Sequence, residues 1–76
     1  MNQKRRTEIS EAIAQIVLAK QDVESILMDE QTCLDNMPEN LEGSERYERI
    51  ENAVDKLDDA VDSLQDAIDS LGEAME

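Results

Sequence analysis

Ser44, Arg46, Tyr47 and Arg49 cluster where a polar loop gives way to a long amphipathic run, and Asn36 and Asn40 lie in the loop just before them. These residue types suit an anionic, nucleotide-type ligand. A helix beginning at Ser44 presents unpaired backbone N–H groups and a partial positive charge. The Ser44 hydroxyl adds a donor, and the guanidinium forks of Arg46 and Arg49 match the oxygens of a phosphate. Tyr47, the only aromatic residue of the chain, offers a ring to stack on a base. The side-chain amides of Asn36 and Asn40 can read a base edge. The same residues also have purely structural uses. Tyr47 fits the apolar seam of the following helix, and Arg49 follows Glu45 by one helical turn, the better orientation for an ion pair. Glu39, Glu42, Glu45 and Glu48 oppose an anion nearby. A ligand pocket, strengthened if two copies bring their loops together, therefore stands against a helix start that serves packing alone.

The motifs of catalysis are missing. The chain has no histidine, so histidine-based triads, His-containing metal sites and the Glu-x-x-His pattern of di-iron bundles are unavailable. Gly43 and Gly72 stand alone and build no phosphate loop. Nothing beyond the ordinary chemistry of Asp and Glu favours catalysis, so the chain reads as a non-enzyme without cofactor or metal. Asp55, Asp58, Asp59, Asp62, Asp66 and Asp69 do not form a calcium loop. Leu57, Val61, Leu64 and Ile68 interrupt them at heptad spacing, which places the carboxylates along the outside of a helix.

The elements that must position these residues follow from hydrophobic period. Tyr47, Ile50, Val54, Leu57, Val61, Leu64, Ile68, Leu71 and Met75 alternate spacings of three and four, the signature of a heptad seam. Ala53, Ala60, Ala67 and Ala74 recur at every seventh position and widen the seam on one side. Earlier in the chain Ile9, Ala12, Ile13, Ile16, Val17, Ala19, Val23, Ile26, Leu27, Cys33 and Leu34 follow a helical period too. Around Ala12–Ala19 almost half the circumference is apolar, more than one antiparallel neighbour covers. Cys33, in line with Ala12, Ala19 and Ile26, is expected to be a small core residue. Thr7 or Ser10 is a plausible N-cap for the first helix, with Glu8 and Glu11 against its dipole. Pro38 disfavours helical geometry at Met37, and Asn36, Asn40 and Gly43 favour turns. The expected architecture is a single all-α domain over residues 1–76, with a helix over about 7–36, a loop over about 37–43 and a helix over about 44–75. Nearly equal helices and a short loop give an antiparallel two-helix hairpin. Pro38 argues against one continuous coiled coil.

A chain of 76 residues with two helices buries little apolar surface, and no disulfide or metal set compensates. Self-association into a helical bundle, most simply a dimer of four helices, is the expected remedy. The formal net charge of −13 disfavours direct binding of DNA or RNA. The few cations are grouped, with Lys4, Arg5 and Arg6 expected to lie beside the acidic end at Glu73 and Glu76. No run is long and apolar enough for a secretion signal or a membrane span. The lone cysteine fits a reducing compartment, so a cytoplasmic location is expected.

The segment Asp35-Asn36-Met37-Pro38-Glu39-Asn40-Leu41-Glu42-Gly43-Ser44-Glu45-Arg46-Tyr47-Glu48, followed by the Ala-Val-Asp-x-Leu heptads, resembles short acidic helical-hairpin proteins encoded by phages and mobile elements of Firmicutes. The resemblance covers most of the chain and implies a setting, not an activity or a set of site residues. Small phage proteins of this size often counter host defence, and the favoured expectation is a binding protein that sequesters a nucleotide-type signal in a homo-oligomer. One alternative is an acidic mimic of nucleic acid whose Asp55–Asp69 face blocks a basic protein partner. The other is a ligand-free scaffold or assembly protein.

Overall fold

The computed structural model describes all residues, Met1–Glu76. It is all-helical, with α1 over Gln3–Asp35, a short 3-10 turn over Glu39–Leu41 and α2 over Glu45–Ala74. The two helices pack antiparallel along their length into a hairpin 59 Å long and only 15 × 13 Å across. The helix starts at Gln3, earlier than the expected Thr7 or Ser10, because Asn2 supplies the cap. Its Oδ1 accepts the Arg5 N–H at 2.9 Å. A polar first turn carries no hydrophobic period, so the apolar pattern begins after the helix does.

The loop ends α1 and restarts the chain in small steps. The Asn36 N–H donates to the Thr32 carbonyl at 3.0 Å, and the Met37 N–H donates to that of Leu34 at 3.2 Å. Pro38 then takes an extended conformation, and the 3-10 turn follows. Gly43 has φ +80°, a left-handed value that side chains disfavour, and brings the Ser44 N–H to within 3.0 Å of the Leu41 carbonyl. Ser44 caps α2, its Oγ accepting the Tyr47 N–H at 3.2 Å.

In heptad terms the contact line of α2 is the a/d seam of Tyr47 to Met75, every member of which is partly buried. On α1 the line runs through Ile9, Ile13, Ile16, Lys20, Val23, Leu27, Glu30 and Leu34. Lys20 thus occupies a seam position that its polarity hid. Its Nζ donates to Gln65 Oε1 at 2.7 Å, and the Gln65 amide donates onward to Asp69 Oδ1 at 2.8 Å. Near the open end the Ser10 hydroxyl meets the Met75 sulfur at 3.5 Å. Both cross-links accord with this register, and a polar residue in the seam, here Lys20, is a known means of specifying it.

The two edges of the hairpin differ. Along one edge run the positions just before each a residue: Ala12, Ala19, Ile26 and Cys33 on α1, with Ala53, Ala60, Ala67 and Ala74 on α2. In the observed register these face one another as Ala12 with Ala74, Ala19 with Ala67, Ile26 with Ala60 and Cys33 with Ala53. The opposite edge carries Glu24 and Gln31 against Asp55 and Asp58. Cys33 corrects the expectation of a core residue: it is exposed, as are Ala19 and Ile26. Each helix touches only one other, and an edge residue needs a third helix to cover it.

No residue of the hairpin is fully buried. Leu18, Ile26 and Met28 are exposed by 62%, 51% and 70%. The accessible surface is 5613 Å², against about 4,700 Å² for a compact folded chain of this mass. No helix is long and apolar enough to cross a membrane.

Candidate functional site: the groove at the loop pole

A groove of about 670 Å³ opens at the loop end of the hairpin, on the Cys33 edge. Its walls come from three pieces of chain. The end of α1 gives Glu30, Cys33 and Asn36, the loop gives Met37, Pro38 and Leu41, and the first turns of α2 give Arg46, Arg49 and Ile50. The turn at Pro38 and the left-handed Gly43 fold the loop back, so that Asn36 comes to the same groove as the two arginines.

Of the residues singled out in the sequence, Asn36, Arg46 and Arg49 share this groove. Ser44, Tyr47 and Asn40 do not line it. The Ser44 hydroxyl is engaged as the cap of α2, and Tyr47 is partly buried on the seam. Asn40 lies exposed in the 3-10 turn. Glu30, Met37, Leu41 and Ile50 were not singled out from the sequence.

The groove combines the apolar side chains of Met37, Pro38, Leu41 and Ile50 with two guanidinium groups and one carboxylate. Arg49 is held by Glu45 in the only ion pair of the chain, and both partners are largely exposed. Arg46 has no carboxylate partner. The volume lies within the range of small-molecule sites, about 300–1,000 Å³. Such a surface can pair an anion with Arg46 and place apolar side chains beside it. No three thiol or carboxylate side chains converge closely enough to share a metal ion.

A second depression, of about 540 Å³, lies mid-way along the opposite edge between Leu27, Met28, Val54 and Val61. Its polar rim is Glu24, Gln31, Asp55 and Asp58, which repels anions and offers no cation. Lys4, Arg5 and Arg6 lie at the far end of the hairpin and make no ion pair with Glu73 or Glu76. The chain matches no family model, no curated protein and no solved structure.

Proposed function

We propose that the chain is a non-enzymatic binding protein of a phage or mobile element that self-associates and inhibits host defence by sequestering a nucleotide-type signal at its loop pole. The observation that carries this reading is that Asn36, Arg46 and Arg49 share one groove with the apolar side chains of Met37, Leu41 and Ile50. In it Arg46 takes the phosphate, Arg49 supports it once released from Glu45, and Asn36 meets the base or sugar edge. The Ser44 hydroxyl caps the helix that carries the arginines, and Tyr47 belongs to its seam. The setting rests on the resemblance of the Asp35–Glu48 segment. Self-association is supported by the absence of any fully buried residue, since an amphipathic helix derives most of its stability from covering its apolar face.

Titration calorimetry with a panel of cyclic and linear nucleotides tests the reading. A member of the panel binds, and Arg46→Ala with Arg49→Ala abolishes the heat while the helical content stays. No binding by any member, or binding that ignores both substitutions, refutes it.

A second reading is favoured by the outer face of α2. Asp55, Asp59, Asp62, Asp66 and Asp69 are exposed there and none has an ion-pair partner. In this reading the face docks on a basic protein as a mimic of the phosphate track. Binding would then weaken steeply with salt and survive loss of both arginines.

A further inference from the structure

The Cys33 edge of the hairpin is the one long surface of this acidic chain from which α2 excludes its carboxylates. Every Asp and Glu of α2 lies on the outer face or toward the opposite edge. The row just outside Ala53–Ala74 reads instead Arg49, Lys56, Ser63 and Ser70. The matching row on α1 reads Glu8, Gln15, Asp22, Asp29 and Asn36, with acids and no cation. The edge is therefore an apolar strip with a basic rim along α2 and an acidic rim along α1. Lys56 makes no ion pair within the hairpin, and neither does Asp29.

We infer that a second copy of this chain seats on this edge, with the two-fold axis parallel to the helices, so that α1 of each copy faces α2 of the other and both loops lie at one pole. Charge selects this arrangement. At the observed register, turning a copy about that axis sets Lys56 against Asp29 of the second copy, twice by symmetry. The same turn sets Arg49 against Asn36, Ser63 against Asp22 and Ser70 against Gln15. The other two-fold arrangement, with the axis perpendicular to the helices and the loops at opposite poles, sets α1 against α1 and brings the two acidic rims together. Unlike charges attract across the first interface and like charges meet in the second.

The area agrees with one such partner. The chain exposes roughly 900 Å² more than a compact protein of its mass, and a standard interface covers about 800 Å² on each partner. Ile26, exposed by 51% in the hairpin, lies at the centre of the strip, flanked by Ala60 and Ala19. Facing alanines allow close approach of the backbones, and the outer Asp row of α2 stays in solvent on both copies.

The arrangement bears on the groove, and in this respect it rests on the reading proposed above. Because both loops share a pole, Arg49 of the second copy comes to the Asn36 end of each groove. Both grooves lie on the covered edge, so they face one another across the interface at the loop pole, and each ligand site gains a guanidinium from the second copy.

Sedimentation equilibrium without nucleotide tests the interface apart from the ligand. The parent chain assembles in dimer units at micromolar concentration. Lys56→Asp alone and Asp29→Lys alone each weaken assembly by about tenfold or more, because each homodimer then sets like charge against like. Mixing the two variants restores the parent affinity, since the mixed dimer has complementary pairs at both places. Ala60→Glu abolishes assembly. It lowers helicity too if the separated hairpin unfolds, and in that case the mixing arm decides. A parent that is a folded monomer, or variants that assemble unchanged, overturns the inference, as does a mixture no tighter than its components. A dimer that passes the mixing test and binds no nucleotide refutes the groove and leaves the interface standing.

Discussion

Removing the Ser44 hydroxyl separates structural support from ligand contact at the loop pole. The Ser44 Oγ accepts the Tyr47 N–H at 3.2 Å, satisfying one of the amide groups that a helix start leaves unpaired. Ser44→Ala leaves that donor without its partner at the point where the loop turns onto a partly buried seam residue. The expected loss is about 1 kcal/mol. Unfolding entropy of roughly 2.1 cal/mol/K per residue gives about 0.16 kcal/mol/K for this chain, so the midpoint falls by about 6 °C. If the folded unit is a dimer, both the loss and the entropy double, and the shift is the same at fixed protein concentration. Ser44→Gly should lower the midpoint by only about 1–2 °C, and Ser44→Thr by a similar amount, since glycine and threonine are both accepted at this position. Asn2→Ala provides an internal comparison. Asn2 caps α1 in the same manner, but residues 1–8 are all exposed. Unwinding that turn breaks no packing, and the shift should stay under about 3 °C. Thermal melts followed by far-ultraviolet circular dichroism measure all four. A midpoint of Ser44→Ala within about 1 °C of the parent, one-sixth of the expected shift, would refute the assignment of Ser44 as the cap that holds the second helix.

Three further variants test the same structure. Gly43→Ala should destabilise by about 1 kcal/mol although nothing lies within 4 Å of the added methyl, because the left-handed φ of +80° is itself the cost; the melt checks it. Glu45→Gln should change stability by less than about 0.5 kcal/mol, the pair being exposed on both sides. In calorimetry the same substitution should tighten nucleotide binding, because it frees Arg49 for the groove. Asp62→Asn with Asp66→Asn should raise the melting temperature, and added salt should do the same for the parent. These neighbours repel one turn apart on a chain of net charge −13, by roughly 0.2–0.5 kcal/mol per pair.

The hairpin was legible because its signals are local. Alternating three- and four-residue spacing marked α2, Pro38 and the Asn/Gly loop marked the reversal, and Ser44 and the Glu45–Arg49 pair stand where helix chemistry puts them. Three features resisted for physical reasons. Lys20 sits in the seam of α1, and a hydrophobic pattern passes over a residue whose stem packs while its ammonium reaches Gln65. Asn2 caps a turn with no apolar residue to announce it. Cys33 shares the seven-residue spacing of Ala12, Ala19 and Ile26, but spacing places a residue on an edge without saying whether a third helix covers that edge. The groove was legible in part. Arg46, Arg49 and Asn36, which stand out by their chemistry, lie in one groove, whereas Glu30, Met37, Leu41 and Ile50 join them there only through the fold of the loop. The Ser44 hydroxyl is engaged as the cap of α2, and Tyr47 is partly buried on its seam.

Native mass spectrometry of the purified protein, alone and with cyclic and linear nucleotides, tests the central claim most directly. The account predicts an assembly built from dimers that retains a nucleotide, and that loses it on Arg46→Ala without changing its mass otherwise. A monomeric chain, or a defined oligomer that ignores every nucleotide, would contradict it.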